Sequence, residues 1–72
     1  MRKQIFYGAG ENARRNIIKW LGEGYQPLCF VDRDEKKWNT SFGEELLSGE
    51  GIPVLSLEEA MTRYPDSDIY IT

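Results

Sequence analysis

The sequence predicts an α/β fold, a small three-layer βαβ domain around a parallel sheet of about four strands in the order 3-2-1-4. Three observations carry this. Four short apolar runs, at residues 4–7, 28–31, 52–55 and 68–72, read as strands. Two stretches between them carry apolar residues at helical spacing instead. Strand and helix also alternate along the chain, the pattern of parallel strands joined by right-handed crossovers.

Gln4-Ile5-Phe6-Tyr7 is apolar and aromatic and stops at Gly8, as a buried parallel strand does. From Glu11 the period changes. Gly10, Ala13, Ile17 and Leu21 fall on one helical face with Trp20 beside them, and Gly22 and Gly24 supply the stop. After Pro27, Leu28-Cys29-Phe30-Val31 forms a second buried strand ending on Asp32. A charged stretch to Lys37 leads to Trp38 and the polar Asn39-Thr40-Ser41; residues 42–47 offer a helical turn or two anchored by Leu46 and Leu47. Ile52-Pro53-Val54-Leu55 is a third strand, and Pro53 suits an edge because it cannot donate to a ladder. Ser56-Leu57-Glu58-Glu59 is a capping box that starts a helix, broken at Pro65-Asp66. Asp68-Ile69-Tyr70-Ile71-Thr72 is the fourth strand.

Composition narrows the function classes. With 72 residues the chain is one domain, too short for both βαβαβ halves of a complete dinucleotide fold, and it reads as the N-terminal part of a longer protein. No apolar run reaches membrane-spanning length and no signal peptide is visible, so a cytoplasmic protein without a membrane partner is expected. Cys29, the single cysteine, lies in an apolar run as a buried thiol. Residues 1–37 hold eight Lys and Arg against five Asp and Glu, whereas residues 38–72 hold one against seven. No continuous basic face results, which argues against nucleic acid; a small anion near the N-terminal half is compatible with the imbalance. The chain has no histidine, and no Ser/His pair, Cys/His pair or metal-spaced cluster, so no metal cofactor and no catalysis by the isolated chain are expected.

Gly8-Ala9-Gly10-Glu11-Asn12-Ala13 is G-x-G-x-x-A between a predicted strand and a predicted helix. Gly8 permits the tight turn, Gly10 leaves a pyrophosphate free to approach the backbone, and Ala13 lets the helix lie close on the strand. The N–H groups at the helix start then face an anion. Asp32 follows Gly8 by 24 residues, at the end of the second strand, where a Rossmann-like fold puts the carboxylate that reads ribose hydroxyls. The candidate site is therefore Gly8, Ala9, Gly10, Glu11, Asn12 and Asp32, with Arg33 placed for a 2′-phosphate, and NAD or NADP as the cofactors to consider. Plainer readings stand beside these. Glu11 repels phosphates but suits the helix dipole, with Arg14 or Arg15 as offsets; Asp32 also reads as a strand-end cap and Arg33 as a solvated surface residue.

The runs Ile5-Phe6-Tyr7-Gly8-Ala9-Gly10-Glu11-Asn12, Phe30-Val31-Asp32-Arg33-Asp34, Lys37-Trp38 and Gly51-Ile52-Pro53-Val54-Leu55 together resemble one kind of domain. It is the Rossmann-like N-terminal domain of bacterial sugar-modifying proteins. These include the sialic-acid and bacillosamine type of nucleotide-sugar acyltransferase, and proteins in which a similar domain precedes an FkbM-family methyltransferase domain. The resemblance implies an NAD(P)- or nucleotide-sugar-binding module over residues 3–72, followed by a catalytic domain, in a transferase. The acyltransferases usually carry Gly-His after the second motif glycine, where this chain has Glu11-Asn12; that departure favours the methyltransferase-associated relatives.

The expected function is thus binding of a nucleotide-type ligand by a non-catalytic module. The rival readings are a fragment of a nucleotide-sugar dehydrogenase or epimerase-like enzyme, and a structural module with an empty cleft that dimerises through residues 68–72.

Overall fold

The computed structural model describes residues 2–72. In chain order the elements are β1 (Arg2–Tyr7), α1 (Glu11–Gly22), β2 (Tyr25–Val31), β3 (Ser41–Phe42), β4 (Ile52–Leu55), α2 (Leu57–Arg63) and β5 (Asp68–Ile71), with a 3-10 turn at Glu35–Lys37. The class is α/β. The sheet, however, has five strands in the order β3-β4-β2-β1-β5, and it is mixed: β3 runs antiparallel to β4 while the other pairs are parallel.

This corrects the expectation of a four-stranded, all-parallel sheet. The added strand comes from Ser41-Phe42, which reads as polar loop because two residues carry no period. Phe42 makes it a strand by burying its ring on Phe30, centroids 4.2 Å apart. Pro53 is consequently not on an edge strand, since β3 lies outside it. Residues 43–49 form turns and no helix, with one helical bond from Leu47 N–H to the Gly43 carbonyl at 2.9 Å. β2 starts three residues earlier than its apolar run, because Pro27 is accommodated at a bulge: Gln4 pairs with Pro27 and Ile5 with Cys29, leaving Leu28 as the extra residue.

Alternation along the strands sends side chains to two cores. Phe6, Phe30 and Val54 face α1, where Ala13, Ile17 and Trp20 pack on them. Ile5, Cys29, Val31 and Leu55 face the other way, against Ala60 of α2. One helix thus covers each face. Phe6 is the hub of the first core, with ring centroids of Trp20, Phe30 and Tyr70 at 5.2, 5.5 and 5.0 Å. Fully burying such a side chain is favourable by about 1.5–3 kcal/mol, so this ring cluster anchors α1 and sets where its first turn lies.

Half of the capping box forms at α2. Ser56 Oγ accepts the Glu59 N–H at 3.1 Å, but the Glu59 carboxylate turns to Arg63 Nε at 3.2 Å instead of reaching back. Among the described residues, no helix is long and apolar enough to cross a membrane.

Candidate functional site

β1, β2 and β4 are parallel, so their carboxyl ends gather on one side, where the G-x-G-x-x-A segment turns from β1 into α1. Gly8 has φ +108°, and a Cβ placed on it would lie 2.5 Å from Thr72 Oγ1. Both facts demand glycine there. Gly10 differs: it is the N-cap of α1, in extended conformation, and nothing lies within 4 Å of where its Cβ would be. The backbone beside it is open to whatever approaches the helix start. Glu11 and Asn12 are exposed on the first turn, and the Asn12 side chain accepts from Asn16 Nδ2 at 3.2 Å.

Asp32 is brought to the loop, but it holds the protein first. Its Oδ2 accepts the Ala9 N–H at 2.9 Å and its Oδ1 the Asp34 N–H at 2.9 Å. Lys37 completes the arrangement, with Nζ 3.6 Å from Asp32 Oδ2 and donating to the Ala9 carbonyl at 3.3 Å. Both polar groups of Ala9 are therefore gripped by the segment after β2. Partial burial raises the Asp32 carboxyl, but the two backbone N–H bonds and Lys37 outweigh it and hold the group below its ordinary range.

Arg14, from the first turn of α1, and Lys37 both line a cleft of about 200 Å³ whose lining also includes Thr40, Ser41 and Glu45. Arg14 forms an ion pair with Glu45 across it. Glu45's own backbone N–H, and then Arg14, lower its carboxyl. Arg33 is not part of this cleft. It is exposed and lines a wider one of about 650 Å³ with Tyr7, Trp38 and Leu57, on the α2 side. Trp38 is fixed there by its indole N–H, which donates to the Asp32 carbonyl at 2.7 Å.

Comparison with family models, curated proteins and solved structures finds no match.

Nothing lies within 4 Å of where a Cβ on Gly10 would be, while Asp32 Oδ2 faces both the Ala9 N–H and Lys37, and Oδ1 the Asp34 N–H. Arg33 is set toward the other cleft, away from Arg14 and Lys37. Among the described residues, no group of three His, Cys, Asp or Glu is placed to hold a metal ion. Sequence reasoning missed Lys37, Thr40, Ser41, Glu45 and Thr72 as parts of the site. Only the first had a signal: Asp-x-Asp ahead of Lys-Lys marks the successive side-chain-capped turns that fold Lys37 back, with Asp34 Oδ1 accepting the Lys36 N–H at 3.1 Å.

Proposed function

We propose that this chain is a Rossmann-like, non-catalytic module that binds a nucleotide-type ligand, NAD(P) or a nucleotide-sugar, within a larger sugar- or methyl-transferring protein. The observation that carries the reading is the pairing of a glycine-bounded loop open at Gly10 with the cationic cleft of Arg14 and Lys37, at the carboxyl ends of parallel strands. Open α/β sheets bind ligands at that end, and a loop held rigid by Asp32 and Lys37 needs little reorganisation to do so. Gly10, Glu11 and Asn12 would meet the phosphates through backbone N–H groups, and Asp32 the ribose. Arg33 and Trp38 would offer the wider cleft to the base. A thermal-shift panel of NAD, NADP, UDP-sugars, coenzyme A and S-adenosylmethionine tests this. A ligand at 100 times its dissociation constant adds about 2.7 kcal/mol; no shift with any of them sinks the proposal.

A second reading, self-association, is favoured by β5. Among the described residues it pairs with β1 alone, and Ile69 and Ile71, on the sheet face shared by Ile5 and Tyr7, are 39 % and 70 % exposed. Antiparallel pairing of two copies would set each Asp68 against the far end of its partner strand, away from the other Asp68.

A further inference from the structure

Two cations meet over one small cleft, and neither is saturated. Lys37 Nζ has three protons, with contacts at 3.3 and 3.6 Å, longer than the ~2.7–2.9 Å of a strong charge-assisted bond. Its side chain is 42 % exposed. The Arg14 guanidinium has five N–H donors, of which a carboxylate can take two at most. Glu45 is the one acid among the residues lining the cleft, and it is the group that holds Arg14. It comes from the turn segment 43–49, at 57 % side-chain exposure. An exposed ion pair of this kind is weak, so it is easily exchanged for a stronger anion. About 200 Å³ gives a phosphate group room, since a water's share of liquid volume is only ~30 Å³.

We infer that this cleft is a phosphate subsite with Lys37 and Arg14 as its two cationic sides, and that Glu45 occupies Arg14 in the ligand's place until a phosphate displaces it. The inference rests on the reading of the glycine loop as a ligand site, and it names the group that enters beside that loop. Phosphate arrival would break the Arg14–Glu45 pair and free the 43–49 turn from α1, so ligand binding and the position of that turn are linked.

The test is an amide and Arg Nε–H NMR titration of the protein with sodium pyrophosphate, and in parallel with uridine diphosphate, at constant ionic strength. Signals of residues 40–45 and of Arg14 should move together. The apparent Kd should fall about five-fold in Glu45→Gln, the upper end for releasing an exposed ion pair. It should rise in Arg14→Gln and in Lys37→Met, with Lys37→Arg restoring most of it. Preference for uridine diphosphate identifies a nucleotide as the source of the phosphate; equal affinity identifies the phosphate group alone. Unchanged Kd in Glu45→Gln, or no binding of either probe at ~10 mM, beyond the millimolar constants of weak sites, overturns the inference. The two readings fail separately. Binding lost in Gly10→Val but indifferent to Arg14 and Glu45 keeps the loop and rejects the subsite. Binding that depends on Arg14 and Glu45 yet survives Gly10→Val keeps the subsite and rejects the loop.

Discussion

The Asp32 carboxylate accepts the N–H of Ala9 at 2.9 Å, tying the end of β2 to the middle of the glycine loop across 23 residues of sequence. With the Asp34 N–H on the other oxygen, this side chain has two backbone donors and a lysine to answer. Asp32→Asn keeps the shape but turns one acceptor into a donor and cancels the attraction to Lys37. Hydrogen bonds to charged groups contribute ~1.5–3 kcal/mol, and a loss of that order is expected in urea unfolding at neutral pH; a loss under ~0.5 kcal/mol, the scale of ordinary surface substitutions, would mean the loop does not need the carboxylate. The carboxyl is held below its ordinary range in the folded chain. Its contribution is therefore complete above the unfolded value of ~3.9 and drains away as pH falls below it. Asp32→Asn should flatten the acid limb of the stability profile, and an unchanged limb would assign acid sensitivity elsewhere.

Gly8→Ala should destabilise on two separate counts. Its φ of +108° disfavours any side chain, and Thr72 Oγ1 stands 2.5 Å from the new methyl. Strain of this backbone kind costs ~1–3 kcal/mol. Pairing it with Thr72→Ala removes the collision and leaves the strain. A double-mutant cycle by urea unfolding should show favourable coupling between the two changes, and strict additivity would show that Thr72 yields freely.

Gly10→Val should leave the fold intact, because nothing lies within 4 Å of the new Cβ position, and should abolish binding of a nucleotide that uses the loop. Glu11→Gln should tighten binding of any phosphate ligand there, by removing a like charge from the first turn. Isothermal titration of both variants with whichever nucleotide stabilises the protein measures this. Unchanged affinity in both would put the ligand away from the helix start.

Ile71→Lys, and not a change at Tyr70, is the test of self-association through β5. Ile71 is 70 % exposed, whereas Tyr70 stacks on Phe6 with centroids 5.0 Å apart, so replacing Tyr70 damages the core itself. Sedimentation over a concentration series should show a dimer that Ile71→Lys dissolves. A monomer at ~100 µM, well above micromolar constants, would leave this edge without a partner copy.

The elements easiest to find from sequence were those with a period or a run of several residues. Ala13, Ile17 and Trp20 recur at helical spacing and do form the buried face of α1. Phe30-Val31 and Val54-Leu55 are apolar pairs that do sit side by side in the sheet. What escaped was built from single contacts. Two residues, Ser41 and Phe42, are too few for any pattern, and Pro53 looked like an edge residue only while that strand was unseen. The motif fixed attention on Gly8 to Asn12 and on Asp32, yet whether Asp32 turns inward to Ala9 or outward to a ligand depends on how residues 33–37 fold back. Lys37 has the same composition signal as Lys36, and only the 3-10 turn decides which of them reaches the loop.

Thr72 closes the same loop from just after β5, its hydroxyl sharing one proton between the Tyr7 and Gly8 carbonyls at 2.9 and 3.0 Å. β1 lies between β2 and β5, and its register with β5 joins Gln4 to Asp68. The loop's geometry therefore rests on pairing far apart in sequence: α1 and β2 can assemble on β1 early, whereas the β1–β5 ladder needs a longer closure than the β1–β2 one. Folding kinetics should separate the two, with substitutions at Ile17 slowing refolding and substitutions at Thr72 mainly speeding unfolding. That result would mean a transition state in which the glycine turn is still unlatched on its β5 side, its latch set late in folding and released early in unfolding.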